Sequence, residues 1–253
     1  RELGQIHIGL MSDKSVVEFK RIPYLNYDQR KKILLNIKGV TRVTRQDSWD
    51  YSMYIKKYKP DYHIHGDDWK VGYQKEMRRK IIKILKSYGG KLIELPYTKG
   101  VSSAALSEQI NLSSTTIDMR RDMLRRLIDS KKLCRFIEAH SPLSALISEK
   151  VSVEKNGKVS SFDGFWSSSL TDSTLMGKPD NESLDFSQRL KGIDQIFDVT
   201  TKPLIMDADT GGKIEHFNMR VKTAERLGIS ALIIEDKKGL KKNSLLSNTS
   251  SQI

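Results

Sequence analysis

The chain has 253 residues, 38% of them hydrophobic, with three Trp, nine Tyr and seven Phe, enough apolar material to fill a core and exclude wholesale disorder. No apolar run approaches the ~20 residues of a membrane span, and Arg1-Glu2-Leu3-Gly4 is no secretory signal, so a cytoplasmic protein with no membrane partner is expected. The formal charge of +13 sits wholly in the first half: residues 1–133 hold 28 Lys and Arg against 15 Asp and Glu, whereas residues 134–253 hold 16 of each.

That asymmetry predicts two functional units and a polyanionic ligand for the first, either a nucleoside triphosphate or nucleic acid. A single cysteine, Cys134, leaves no internal disulfide to form. In chain order, Gln5–Leu10 reads as a strand. A helix over Tyr27–Ile37 follows, capped by Asn26, with Tyr27, Ile33, Leu34 and Ile37 as its apolar stripe. A strand over Val40–Val43 and a helix over Tyr51–Tyr58, stopped by Pro60, come next. Tyr62-His63-Ile64-His65 makes a strand that ends at Gly66-Asp67-Asp68-Trp69-Lys70. The helix over Gln74–Tyr88 carries Met77, Ile81, Leu85 and Tyr88 on one face, and Lys91–Leu95 returns as a strand. Strands alternating with helices predict a parallel, Rossmann-like sheet. Ser102 and Ser103, at the start of a helix over Ala104–Ile110, offer hydroxyl and N–H donors at the positive end of a dipole, a fit anion site.

The domain boundary is expected around a charged helix over Ile117–Lys132, whose Ile117, Leu124, Leu127 and Ile128 share a face. The first domain is then residues 1–110, the linker helix 111–132 and the second domain 133–253. In the second domain Ser141-Pro142 starts a helix to Glu149. A strand around Val159–Trp166, a helix over Phe186–Phe197, a strand into Asp207, a helix over Glu215–Leu227 and a strand into Glu235 follow. These are successive βα units of a partial (β/α)8 barrel, a fold that takes about 250 residues when complete. A piece of a longer fused protein, cut at both ends, is therefore expected.

The acids lie at strand ends. Pro203-Leu204-Ile205-Met206 reads as a buried strand running into Asp207 and Asp209, then the Gly211-Gly212 turn. Phe162–Trp166 leads through Ser167-Ser168-Ser169-Leu170 to Asp180, and Ile229–Ile234 leads into Glu235-Asp236-Lys237. Carboxylates gathered at the C-terminal mouth of a parallel sheet suit a hard divalent cation such as Mg2+.

The run F-D-G-F-W-S-S-S-L-T-D-S-T-L-M-G-K-P-D, then D-A-D-T-G-G, then E-D-K-K-G-L-K-K-N-S resembles the phosphoenolpyruvate mutase family of the isocitrate lyase superfamily, over roughly residues 135–245. The resemblance implies intramolecular phosphoryl transfer between phosphoenolpyruvate and phosphonopyruvate, a step of phosphonate biosynthesis, with Mg2+ as cofactor and a homo-oligomeric full-length protein. It implies Asp207 as direct metal ligand, with Asp209 and Glu235 binding through water. Ser168, Ser169 and Leu170 would contact the pyruvyl oxygens, with Trp166 as an apolar wall. Asp180 would orient the phosphoryl group, and Lys241 and Asn243 would exclude water.

In the first half, H-G-D-D-W-K and K-G-V-S-S resemble the cytidylyltransferase-like nucleotidyltransferases, which implies CTP or a similar nucleotide as ligand. Gly100, Ser102 and Ser103 would then lie by the triphosphate, with Lys20 and Arg21 neutralising phosphate charge and Asp67, Asp68 and Trp69 shaping the pocket. That family's H-x-G-H motif belongs before Gln5 and is not present, so nucleotidyl transfer by this chain as it stands is not expected. The alternatives are phosphonopyruvate hydrolysis or another lyase reaction of the superfamily and, outside enzymes, a basic nucleic-acid-binding module in residues 1–133. Lys241-x-Asn243 favours the mutase over the hydrolase. The absence of a K-K-C-G-H motif argues against isocitrate lyase chemistry, and the absence of a reader motif argues against nucleic acid.

Overall fold

Strand follows helix in both halves of the chain, and the ladders of Ile6–Met11 on Val40–Gln46, of Tyr62–Gly66 on Lys91–Leu95 and of the four-stranded sheet in the second half are parallel. The computed structural model describes residues 4–96, 116–155, 158–237 and 241–242. The chain divides into two compact units, Arg1–Leu106 with Glu154–Ser160, and Ser107–Val153 with Ser161–Ile253.

In the first unit β1 (Ile6–Met11) pairs with β2 (Val40–Gln46), and β3 (Tyr62–Gly66) pairs with β4 (Lys91–Leu95). These are two separate ladders among the described residues rather than one continuous sheet. Around them run α1 (Asp13–Val16), α2 (Tyr27–Leu35), α3 (Ser52–Tyr58) and α4 (Lys75–Lys86). Asn26 and Gln29 form a reciprocal capping box that starts α2, each side chain accepting from the other's backbone N–H at 2.9 Å. The expected apolar stripe of α2 buries no residue fully: Ile33 is 54% exposed, while Tyr27 and Leu34 are half-buried. The core lies under α3 and α4, where Ile55, Trp69, Ile81, Ile84 and Leu85 pack together with Met77, Tyr88 and Leu92 against them.

The second unit is built on four parallel strands, β5 (Phe136–Glu138), β8 (Gly164–Ser167), β9 (Leu204–Asp207) and β10 (Ala231–Ile233), in the spatial order β10-β9-β8-β5. Helices α6 (Pro142–Lys150), α7 (Ser169–Leu175), α8 (Phe186–Phe197) and α9 (Ile214–Leu227) connect them. Neighbours in sequence are thus neighbours in space, the winding of the early part of a (β/α)8 barrel. Two features depart from expectation. The single strand expected over Val159–Trp166 is two, β7 (Lys158–Ser161), which pairs with β6 (Ser152–Lys155), and then β8. The charged helix α5 (Ile117–Ser130) buries Arg120, Met123, Leu124 and Leu127, while Ile128 stays exposed, about 40° around the helix beyond Leu124 at the edge of that stripe.

Phe165, Leu204, Met206, Ile193, Ile196 and Phe197 form the centre of this unit's core. Gly164 permits the close approach of β5 to β8: a Cβ there would stand 2.2 Å from the Phe136 ring and 2.6 Å from the Pro203 carbonyl. Among the described residues no helix is long and apolar enough to cross a membrane. Ile193 is 2% exposed at the middle of α8, so Ile193→Ala is expected to lower stability by about 2–5 kcal/mol. The readout is a fall in the urea midpoint at unchanged slope.

Candidate active site

The residues that gather in the second unit all leave the C-terminal ends of its strands. Ser167 closes β8, Ser168 caps α7, and Ser169 opens that helix with 2% exposure. Asp207 is the last residue of β9. Its Oδ2 accepts from the Ser169 hydroxyl at 2.7 Å and the Ser169 N–H at 3.3 Å, and its Oδ1 accepts from the Asp209 N–H at 3.0 Å. The Lys241 ammonium donates to Ser169 Oγ and to Asp180 Oδ1, both at 2.8 Å, and to Asp209 Oδ1. Asp180, Asp209 and Lys241 are each buried. Asp180, Asp207, Asp209, Ser169 and Lys241 thus meet at one point.

Burial pushes the Asp207 carboxyl up, but the Ser169 hydroxyl, the Asp209 and Ser169 N–H groups and the Lys241 charge together outweigh it and hold it below its ordinary value. Burial disfavours the charged form of Lys241, yet Asp180 and Asp209 hold its ammonium above its ordinary value. Lys241 is therefore held as a cation within the cluster. No three of the described His, Cys, Asp and Glu stand in an arrangement that holds a metal.

Glu235 is joined to the cluster by its backbone, its N–H donating to the Asp209 carbonyl at 2.7 Å, while its carboxylate turns to Lys237 at 2.6 Å. Ser168 accepts the Thr171 N–H as the cap of α7, and Trp166 and Leu170 are half-buried. Asn243 lies outside the described residues, as do Gly100, Ser102 and Ser103.

Sequence reasoning passed over Arg189, on α8. Its side chain is 1% exposed. Nε donates to Asp172 at 2.9 Å and Nη2 to Ser167 at 3.2 Å; Nη1 donates to Asp209 Oδ2 at 3.1 Å and to the Asp207 carbonyl. Its signal was its position, at i−4 and i−7 to Ile193 and Ile196, inside the apolar stripe of the helix. Glu182 was missed as well: it accepts from the N–H and hydroxyl of Thr210, latching the Asp180 loop to the Asp209 loop.

In the first unit Trp69 is fully buried, donates from its indole N–H to Glu94 at 2.7 Å and stacks on His65 at 3.8 Å between ring centroids. Asp68 stands 4.0 Å from His65 Nδ1, and Asp67 opens the 3-10 turn that carries Trp69. Arg21 lies over the Tyr24 ring at 5.4 Å, and Lys20 follows α1 with its N–H bonded to Val16.

Residues 124–252 match the phosphoenolpyruvate phosphomutase family model, just over half of the chain. The chain belongs to the phosphoenolpyruvate phosphomutase family. Residues 1–120 match the cytidylyltransferase-like family model. The phosphoenolpyruvate phosphomutase of Tetrahymena pyriformis is 37% identical over 124 residues, 49% of this chain and 38% of the relative. A phosphonopyruvate hydrolase of Variovorax sp. is 32% identical over 127 residues, 50% of this chain and 41% of the relative. The glycerol-3-phosphate cytidylyltransferase of Bacillus spizizenii is 28% identical over 104 residues, 41% of this chain and 73% of the relative. The chain therefore spans about two fifths of the length of the first two relatives.

Burial, then the neighbouring His65, lowers the His63 imidazole to about 4 from an ordinary 6.5. The unfolded chain takes up this proton near pH 6.5 and the folded chain only near 4, so the stability from a neutral His63 is complete above 6.5 and is lost as pH falls toward 4. The ring resonances of His63 in an NMR titration are expected to turn over near pH 4; a midpoint near 6.5 would contradict this environment.

Proposed function

We propose that the phosphomutase-family unit interconverts phosphoenolpyruvate and phosphonopyruvate with Mg2+, and that the cytidylyltransferase-like unit binds a cytidine nucleotide. The observation that carries the first reading is the meeting of Asp180, Asp207, Asp209, Ser169 and Lys241 at the mouth of the β8–β9 pair. Carboxylate oxygens are the donor type that suits a hard divalent ion, and the buried ammonium of Lys241 marks the spot as one that takes positive charge; with fewer than three of the described carboxylates in ligating geometry, water and substrate would supply most of the ion's shell. Asp207 would hold the ion directly, and Asp209 and Glu235 through water. Bound there, Mg2+ supplies Lewis-acid stabilisation of the enolate oxygen and the phosphoryl charge.

The chain's own groups do the rest. In the reaction the bond from phosphorus to the enol oxygen breaks and a bond from phosphorus to carbon three forms, with no net gain or loss of atoms. The phosphoryl group passes through a loose transition state, so the demand on the protein is positioning and charge compensation. Ser168, Ser169 and Leu170, around the start of α7, would bind the pyruvyl oxygens. Asp180 orients the transferring group, and Lys241 neutralises its charge. Exclusion of water separates a mutase from a hydrolase, because water at the same phosphorus gives phosphate and pyruvate. Lys241-x-Asn243 favours the mutase.

Phosphorus NMR of phosphonopyruvate incubated with the intact protein and Mg2+ tests this directly. Phosphoenolpyruvate is the expected product; inorganic phosphate in its place would reassign the unit to the hydrolase reaction. Asp180→Asn and Lys241→Ala are each expected to lower kcat by about 100-fold or more. For the first unit, CTP is expected to bind saturably in a calorimetric titration while a mixed-sequence oligonucleotide does not. The reverse result would make the basic surface a nucleic-acid site.

A further inference from the structure

We propose that Arg189 is a positioning residue of the cation site: its guanidinium fixes the Asp209 carboxylate and trims the charge of the carboxylate cluster to match one divalent ion. This rests on the reading of Asp207 and Asp209 as the cation site.

Three observations support it. The first is where its hydrogen bonds go. All run to the mouth of the sheet, to Ser167 at the end of β8, to Asp172 on α7, and to the Asp207 carbonyl and the Asp209 carboxylate. A side chain needed only to seat α8 would be apolar, as Leu190, Ile193, Ile196 and Phe197 on the same helix are. A buried ionic network is the costlier way to pack a helix.

The second is its place on the helix. Arg189 is the fourth residue of α8, at the N-terminal end of the macrodipole, where a cation is disfavoured. The carboxylates account for the arginine; the helix does not. The third is charge. Asp172, Asp180, Asp207 and Asp209 are four carboxylates, and Arg189 and Lys241 are the two cations bonded among them. With all six ionised the network carries an excess of two negative charges, the charge of one divalent cation.

The geometry also divides the two oxygens of Asp209. Oδ2 is held by Arg189 and Oδ1 faces Lys241. The guanidinium, with no exchangeable charge state, fixes one oxygen permanently and leaves the other on the side from which cations bind.

Mn2+ binding to the intact protein at pH 8, measured by electron paramagnetic resonance without substrate, is the test, run beside kcat from the phosphorus NMR assay. Arg189→Met removes a positive charge and frees Asp209, so Mn2+ is expected to bind at least about threefold tighter while kcat falls by about 100-fold. Arg189→Lys keeps the charge and loses the fork. It is expected to bind Mn2+ within about twofold of the unsubstituted protein and still lose about tenfold in kcat. A residue that only seats the helix would weaken Mn2+ binding and thermal stability together, and that pattern overturns the proposal. So does full kcat in Arg189→Lys, which also serves if Arg189→Met does not fold. If the unsubstituted protein binds no Mn2+, the cation-site reading fails and takes this proposal with it. Mn2+ binding by the unsubstituted protein, with Arg189→Met binding it no tighter, overturns the role of Arg189 alone.

Discussion

The parallel register of β8 on β9 is the constraint on which the second unit depends. Phe165 lies opposite Leu204, Trp166 opposite Ile205 and Ser167 opposite Met206. The chain leaving β8 and the chain leaving β9 therefore emerge at the same edge, and Ser169 meets the Asp207 carboxylate with both its hydroxyl and its N–H. Apolar packing enforces that register. Phe165, Leu204 and Met206 are fully buried, and a slip of one residue would turn an entire strand's side chains to the opposite face. The core thus acts on the site through geometry: its hydrophobic contacts decide which polar atoms can touch.

Once the edge is assembled, the governing cost is that of burying charge. A carboxylate without a partner in a poorly solvated site is expensive, and the described oxygens of Asp207 and Asp209 each have a donor. The donors come from four segments, α7, α8, the Asp209 loop and the stretch at Lys241, so each segment's position depends on the others. Such mutual dependence would serve the phosphoryl transfer proposed for the site, because fixed dipoles and charges stabilise a transition state without reorganising at the moment of reaction. The sequence arithmetic has the same meaning. Residues 134–253 carry equal numbers of acids and bases, and part of that balance is an ionic knot in the interior.

Strong periodicity made part of this fold legible. The helix Phe186–Phe197 and the strand Lys91–Leu95 lie where pattern alone puts them, and Ser141-Pro142 marks the start of α6 by its capping chemistry. Strand β5 was not legible, since Phe136–Glu138 is three residues long and cannot display an alternation. The faces of α2 and α5 were misread because four apolar residues at helical spacing do not say which side another element covers. In the site, two acids following a buried strand pointed to Asp207 and Asp209 directly. Ser169 and Lys241, 72 residues apart, were joined only by family resemblance. Arg189 had neither signal, because an arginine on a helix reads as solvated until its place within the apolar stripe is weighed against its charge.

The Asp-Ala-Asp spacing shows where local reading stops and tertiary structure takes over. In an extended strand, residues two apart share a face, which would set the two carboxylates side by side and repelling. Asp209 is instead in the left-handed region, at φ 58°, a conformation aspartate tolerates better than most residues but still at a cost of order 1 kcal/mol. The turn swings the Asp209 N–H onto the Asp207 carboxylate, so a potential repulsion becomes a hydrogen bond. It also aims the second carboxylate between Arg189 and Lys241 and leaves its carbonyl to accept from Glu235. Gly211 and Gly212, at φ 79° and 77°, then complete the reversal, and Gly212 leaves room for the Arg220 guanidinium, which a Cβ would meet at 2.2 Å. The motif is short because the turn, rather than the strand, sets the direction of its second acid. The strain is tolerated because each polar group it displaces finds a partner on a different element.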